Sequence, residues 1–409
     1  MTFHRAGLAS RRVFLSSLGW GSLAAGIDLA TGCSRSSPPQ ANAAAGGDAS
    51  PTGPARTLRV GYLPITDAAP LLVAHARGFF ADEGLDVPRP TLLRSWPQVA
   101  EAFQARQVDL VHLLMPMAIW LRFGQAFPLK VVGWDHVDGS ALTAAPRIER
   151  VEDLAGETVA VPLWYSIHNV IVQQLLRKAG LMPILRGDAS RAARTVKLTV
   201  MAPPDMPPAL ANGSIAAFTV ADPFNALAEL NGVGRILRFT GDVWRRHACC
   251  VLTMHEDDLS QRPSWAQGAL NAVAKAQRYV RTHRSEVATV LARDGQGYLP
   301  QPREVIERAL GEHATSDHAA KGAIQHPDWQ SARIDFEPFP FPTYTEELVT
   351  RLKDTLVEGD TTFLQNLDPK SVHAALVDDR FARAALAAAG GPAQFDVDPT
   401  LARIESFSP

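Results

Sequence analysis

Two spacings of apolar residues take turns along the chain from about residue 57 onward. Short β-branched runs predict strands at Leu58–Tyr62, Val108–Leu114, Lys130–Trp134, Val196–Val200, Ile215–Val220 and Cys249–Met254. Between them, apolar positions recur every three or four residues, which is helical spacing. Leu71, Leu72, His75, Phe79 and Phe80 predict one helix over Ala68–Ala81, stopped by Gly84. Val99–Arg106 and Pro207–Asn212 predict two more. Ser166 is placed to cap a helix over Ile167–Ala179, where Arg177 and Lys178 suit the C-terminal dipole and Gly180 ends the run. The segment from Val151 to Pro162 reads as a short helix, a glycine turn and a strand. From about Pro263 to Leu401 the pattern is helical and amphipathic, with Ala384–Gly391 closing a last helix. Phe336–Pro342 is too rich in proline for helix or central strand and is expected to run as an extended strap over the surface. Alternating strands and helices predict an α/β fold with largely parallel sheets. No internal repeat interrupts the pattern.

The N-terminal segment is different in kind. Ser10-Arg11-Arg12-Val13-Phe14-Leu15 is a twin-arginine export motif, followed by an apolar, Gly/Ala-rich stretch to Ala30 and then Ala30-Thr31-Gly32-Cys33. Small residues ahead of a cysteine are what a lipoprotein signal peptidase reads. The stretch is too short, and too broken by Gly and Asp28, to be a spanning helix. The expected layout is a lipoprotein signal at 1–33 with Cys33 lipidated, and a Ser/Pro/Ala/Gly tether at 34–56. The remaining residues, about 350, exceed what one core holds, so two lobes are expected. They are placed at 57–146 (first part of lobe 1), 147–246 (lobe 2) and 247–409 (return to lobe 1 with C-terminal helices), with Cys249–Met254 as the return crossing. This layout places the protein in the periplasm or at the cell surface, held to the membrane by its lipid.

Composition removes several classes. A hydrophobic content of 46% and a charged content of 20% are those of an ordinary globular chain, and a net charge of −2 gives no footing for nucleic acid. With Cys33 assigned to the anchor, the other two of the three cysteines, Cys249 and Cys250, are adjacent, so there is no disulfide framework and no C-x-x-C spacing. No G-x-S-x-G, H-E-x-x-H or G-x-x-x-x-G-K-[ST] occurs, and the twelve histidines are scattered. Enzyme readings are therefore thin, and no cofactor is expected.

In open α/β sheets, ligands lie beyond the carboxyl ends of strands, beside helix N-termini. The residues falling there are Thr66 and Asp67, Ser95 and Trp96, His112, Met115 and Met117, Ser140, Trp164, Ser166 and His168, and Asp222. Trp244, His247, Cys249 and Cys250 fall at the presumed hinge. Each also has a structural reading: Asp67 as a plain N-cap, Asp222-Pro223 as a turn, Trp96 and Trp244 as core. His247-Ala248-Cys249-Cys250 invites a metal, but neighbouring side chains of a strand point to opposite faces, so the two thiols are not expected to chelate one ion. They are expected as small buried hydrophobes.

The ordered set of these segments resembles a known family. Gly61-Tyr62-Leu63-Pro64-Ile65-Thr66-Asp67-Ala68-Ala69-Pro70 and Gly78-Phe79-Phe80-Ala81-Asp82-Glu83-Gly84-Leu85 are similar to the opening of the nitrate-, sulfonate- and bicarbonate-type periplasmic substrate-binding proteins of ABC transporters. Ser95-Trp96, the run from Asp109 to Met117, Tyr165-Ser166-Ile167-His168-Asn169, Ala202–Met206, Ala221-Asp222-Pro223-Phe224-Asn225, Trp244 and His247–Cys250 continue the likeness. The resemblance implies a two-lobed periplasmic binding protein fold (type II-like), each lobe a mixed sheet flanked by helices. It also implies delivery of a small molecule to an ABC permease in the cytoplasmic membrane, without catalysis; a monomer is expected. In the nitrate and bicarbonate branches the contacts come from the Trp of Ser-Trp, a Gln after Asn-Gly, the His of Ser-x-His-Asn and a charged residue near the hinge. Trp96 and His168 match; the Asn-Gly-Gln segment reads Asp138-Gly139-Ser140, and Cys249-Cys250 stands where a nitrate-type Lys is absent. The expected ligand contacts are Thr66, Trp96, Ser140, Trp164, Ser166, His168, Asp222 and Cys250. The ligand is expected in the nitrate, nitrite, bicarbonate and sulfonate class. An organic ligand such as a pyrimidine or flavin-like compound, or an enzyme of the thiamine-pyrimidine synthase type on the same fold, are the alternatives.

Overall fold

The β-branched runs become strands of two separate large sheets in the computed structural model, which describes residues 57–312, 315–329 and 332–409. The export signal, Cys33 and the tether expected within 1–56 lie outside the described residues. The strands are β1 (Val60–Tyr62), β2 (Thr91–Leu92), β3 (Leu110–Leu114), β4 (Leu129–Trp134), β5 (Val137–Asp138), β6 (Ser140–Ala144), β7 (Thr158–Val161), β8 (Met182–Ile184), β9 (Thr195–Val200), β10 (Ala217–Ala221), β11 (Arg235–Phe239), β12 (Cys250–His255) and β13 (Ile334–Asp335).

The first sheet has the order β2-β1-β3-β12-β4 and the second the order β11-β6-β10-β7-β9-β8. β1 pairs parallel with β2 and β3, while β12 runs antiparallel between β3 and β4, with Cys250 opposite Leu114 and Val251 opposite both Leu113 and Trp134. The expected return crossing is therefore present, and it lands in the middle of the first sheet. In the second sheet β7 pairs parallel with β9 and β10, and β6 is antiparallel to β10 and β11. Among the described residues β13 pairs with β5 alone.

The structure corrects the sequence reading at several points. The helix expected over Ala68–Ala81 is a 3-10 turn at Thr66–Ala68 and two helices, Ala69–Ala76 and Phe79–Asp82, parted at Gly78. Gly78 has φ 73°, a left-handed conformation that glycine adopts without a steric cost. Ser140–Ala144, expected in lobe 1, is hydrogen bonded into the second sheet. The turn that carries the chain across is Asp138-Gly139, at φ 62° and 80°, and a Cβ on Gly139 would meet the Ile334 side chain at 2.8 Å. The strap from Phe336 to Phe341 is irregular, as its prolines require, but it is buried rather than superficial. Three phenylalanines in six residues explain this, since burying each gains about 1.5–3 kcal/mol. Pro338 O accepts from Trp134 N at 2.9 Å, and the close approach is made beside Gly133, where a Cβ would sit 3.2 Å from that oxygen.

The helix Pro263–Thr282 shows how the pattern builds the first lobe. Ala266, Ala269, Leu270, Val273, Ala276, Gln277 and Val280 recur at helical spacing and are all buried. Gln277 is the polar member of that face, and its Nε2 donates to Trp134 O at 2.9 Å and Asp135 O at 2.8 Å. It thereby fixes the end of β4, which leads into the site. No helix among the described residues is long and apolar enough to cross a membrane.

Candidate functional site

Strand ends from both sheets and the two chain crossings meet in one buried polar cluster. From the first lobe come Thr66 and Asp67 in the turn after β1, and His112 within β3. The outward crossing gives Asp135 and His136, just beyond β4, and Ser140 opens β6. The second lobe gives His168 in the first turn of the helix Ile167–Lys178, and Asp222 just after β10. Cys249 and Cys250 come from the return crossing. All are buried; Asp67, His136, Cys249 and Cys250 have 0% exposure and His168 has 1%.

The contacts are specific. His136 Nε2 lies 2.8 Å from Asp67 Oδ2 and 3.2 Å from the backbone N of Cys250. Cys250 Sγ donates to the same Asp67 oxygen at 3.3 Å. His168 Nε2 is 2.9 Å from Ser140 Oγ and 3.8 Å from Cys249 Sγ. Thr66 joins the lobes, because its backbone N and its Oγ1 both donate to Asp222 O at 2.9 Å. His112 Nε2 accepts from Leu63 N at 2.9 Å, and its Nδ1 lies 3.6 Å from Asp135 Oδ2.

Burial dominates the electrostatics. It pushes the His112 pKa down to about 3 and the Asp135 carboxyl well up, so this pair is neutral. Burial also raises Asp67 and Cys250. It opposes charge on His136 too, but the Asp67 charge and hydrogen bonds to Asp67 and Cys249 outweigh it and lift His136 well above the usual histidine range. Cys249 goes the other way: burial opposes its thiolate, yet the Cys250 hydrogen bond and the imidazoles of His168 and His136 bring it well below the usual thiol value. The cluster thus sets an imidazole with a raised pKa beside a polarised sulfur, and among the described residues neither group makes a hydrogen bond or ion pair with a lysine or arginine.

The expected contact residues separate into groups. Ser140, His168 and Cys250 are brought together with Asp67 and His136, and Thr66 is adjacent. Trp96 is 1% exposed, with its ring 5.6 Å from that of His112. Asp222 faces Thr66 through its carbonyl only; its Oδ1 accepts from Ala226 N at 2.9 Å and its Oδ2 faces Arg333 at 3.7 Å. Ser166 is committed as the helix cap, accepting from Asn169 N at 3.1 Å and donating to Leu163 O at 2.7 Å. Trp164 is half-buried and is tied to Asn169 through its carbonyl.

Two structural readings change. Asp67 makes no cap bond; it sits inside the 3-10 turn with its carboxylate turned to His136 and Cys250. Cys249 and Cys250 do converge, because β12 starts only at Cys250 and Cys249 occupies the bend before it, where side-chain alternation does not apply. His247 is not their partner; its Nδ1 is 2.7 Å from Trp244 O and 3.2 Å from Asp138 Oδ1. The residue that joins the thiols is His136, missed in the sequence although it follows the strand end at Trp134, where the rule applied elsewhere points.

Two α/β lobes, joined by crossings and enclosing a polar cluster at their strand ends, define the periplasmic binding protein class of fold. The comparisons agree. Residues 52–293 match the NMT1-like family, and the chain belongs to that family. It is 24% identical over 337 residues to the nitrate/nitrite binding protein NrtA of Nostoc, covering 74% of each chain. It is 29% identical over 250 residues to the nitrate import ATP-binding protein NrtC of Synechocystis, but this spans 58% of the chain and only 37% of that relative's length. Among solved structures, the periplasmic nitrate-binding protein NrtA of Synechocystis superposes with a TM-score of 0.69 at 20% identity, covering 86% of this chain and 94% of that one.

Proposed function

We propose that the protein is the solute-binding component of an ABC importer and captures a small solute between its lobes for transfer to a permease. The observation that carries this reading is the buried cluster itself. Thr66 of the first lobe donates its N–H and its hydroxyl to Asp222 O of the second, and His168 of the second lobe lies 3.8 Å from Cys249 on the return crossing, so these contacts depend on the lobes being closed. NrtA, similar over three quarters of the chain, is named for nitrate and nitrite, and this supports a small anion of the nitrate, nitrite, bicarbonate or sulfonate class. His168, Ser140 and Thr66 would supply the hydrogen bonds and Trp96 an apolar wall. The remaining expected contacts, Trp164, Ser166, Asp222 and Cys250, are less direct candidates. Export by the twin-arginine route, lipidation at Cys33, a monomeric state and the absence of catalysis complete the reading. The Ser/Pro/Ala/Gly tether expected at 34–56 would give an anchored protein the reach to its permease.

The test is calorimetry of the protein with each of these anions, paired with His168→Ala. One anion is expected to bind, and the variant to bind it at least tenfold more weakly while keeping its melting temperature in the absence of solute. Equal affinity in the variant would remove His168 from the site. Failure of every anion to bind would remove the anion class.

A further inference from the structure

The lower part of the cluster has a composition that an anion does not call for. Four side chains offer one donor atom each: a carboxylate oxygen of Asp67, an imidazole nitrogen of His136, and the sulfurs of Cys249 and Cys250. All four atoms lie within 4.8 Å of one another. They belong to three separate stretches of chain, and none is exposed. We propose that these four residues bind one thiophilic metal ion of the zinc(II) type. The proposal goes beyond the solute reading and rests on it only for access, since lobe opening is what admits an ion to groups this deeply buried.

The distances suit that ion. Tetrahedral zinc with bonds of about 2.0–2.3 Å holds its ligand atoms about 3.3–3.8 Å apart. Asp67 and Cys250 are already at 3.3 Å, and Asp67 and His136 at 2.8 Å. The widest pairs would close by about 1 Å and the narrowest open by about half that. Donor chemistry gives the class. Two sulfurs and an imidazole select a soft or borderline ion, whereas calcium and magnesium require six or more oxygen ligands or retained waters.

The hydrogen bonds within the cluster are also mutually inconsistent without a cation. The same His136 nitrogen faces a carboxylate oxygen, to which it must donate, and the N–H of Cys250, from which it must accept. One ring nitrogen does not do both. Asp67 Oδ1 is buried with no hydrogen-bond partner among the described residues. A cation takes the imidazole lone pair and the carboxylate together and removes the conflict. His168, 3.8 Å from Cys249 Sγ, is placed to donate to a metal-bound thiolate.

The experiment uses the reduced full chain carrying Cys33→Ser, with zinc(II) alone in equilibrium dialysis and cobalt(II) alone in absorption spectroscopy. One ion per chain is expected, with thiolate-to-cobalt charge-transfer absorption. The Cys249→Ser/Cys250→Ser double variant should lose that absorption and bind zinc more than about 100-fold more weakly, exceeding the loss typical of outer-shell changes. Magnesium and calcium should not compete. If the double variant fails to fold, Cys250→Ser and His136→Gln carry the same readings singly. No bound zinc, unchanged affinity in the variants, or a Cys249–Cys250 disulfide that leaves no free thiol in the denatured chain would each overturn the proposal. Its failure is separable from that of the solute reading. Anion binding without zinc sinks only the metal site, and zinc binding without any anion response sinks only the anion class.

Discussion

Glu229→Gln tests how the C-terminal segment is held to the second lobe. Glu229 closes toward Arg333, whose side chain has 0% exposure, and its carboxylate accepts from Arg333 Nη2. It also takes His318 Nε2 at 2.9 Å and Arg308 Nη2 at 3.4 Å. The other acid facing Arg333 is Asp222, at 3.7 Å. Removing the Glu229 charge therefore leaves a buried guanidinium short of its main partner, a change that costs about 3–5 kcal/mol. A second route gives a similar figure. Burial alone would raise the Glu229 pKa, but His318, Arg333 and Arg308 overcome it and hold it at about 2, against an ordinary 4.5. That depression is worth about 3 kcal/mol as an upper figure, since part of the carboxylate meets water. The sign follows from the depressed value: the stabilisation is complete above pH 4.5 and is lost as pH falls towards 2. Equilibrium urea unfolding of wild type and Glu229→Gln should differ by about 3 kcal/mol at neutral pH, with the gap narrowing between about pH 5 and pH 3. A gap below about 1 kcal/mol, the range of an exposed pair, or one that does not change with pH, would refute the reasoning.

Asp222 carries the opposite sign. Burial raises its pKa to about 6 from 3.8 despite Arg333, so its neutral form favours the fold below pH 3.8 and that advantage is lost as pH rises through 6. Asp222→Asn should abolish a fall of about 3 kcal/mol over that interval, seen as a flatter pH profile of urea unfolding; an unchanged profile would place the titration elsewhere. Gln277→Leu leaves the carbonyls of Trp134 and Asp135 without their donor and should cost about 2–4 kcal/mol in unfolding stability. Because those carbonyls hold the chain at His136, the variant should also weaken zinc(II) retention; normal stability would show that the two bonds are replaced by water. His168→Ala, in contrast, should leave the solute-free melting temperature in place while lowering solute affinity, and a large loss of stability would mark His168 as structural.

The fold was legible where one physical rule decides the outcome. β-branched runs point to strands in both large sheets and to a strand returning to the first lobe, but not to the place of β12 between β3 and β4, which depends on pairing that the pattern does not report. Boundaries were less legible. The break at Gly78 and the turn at Asp138-Gly139 are set by left-handed backbone, which hydrophobic periodicity does not report. The strap was read from its prolines, while its burial depends on where its phenylalanines find a surface. In the site, Ser140, His168 and Cys250 were found because they fall at strand or helix ends. Ser166 and Asp222 fall there as well, but the Ser166 side chain caps its helix and the Asp222 carboxylate accepts from Ala226 N. Cys249 was misplaced by assuming that β12 began one residue earlier, and His136 was overlooked because the turn after β4 was passed over.

The closed lobes pose an energetic question that the hydrogen bonds help to answer. The direct latch at Thr66, its N–H and hydroxyl on Asp222 O, is worth about 0.5–1.5 kcal/mol per bond once exchange with water is counted. With the lobes together, Asp67 Oδ1 and His168 Nδ1 are also buried, and neither has a hydrogen-bond partner among the described residues. Each unmet group costs about 1–3 kcal/mol. The cost of the two matches or exceeds the gain of the latch, so the latch alone does not keep the lobes shut. A cation at Asp67 Oδ1 and a hydrogen-bonding solute at His168 Nδ1 would remove that cost in the closed state, and such a differential interaction is what shifts a population towards closure. On the proposed reading capture and closing are then one event, because the buried polar atoms that would meet an occupant are the same ones that penalise closure without one.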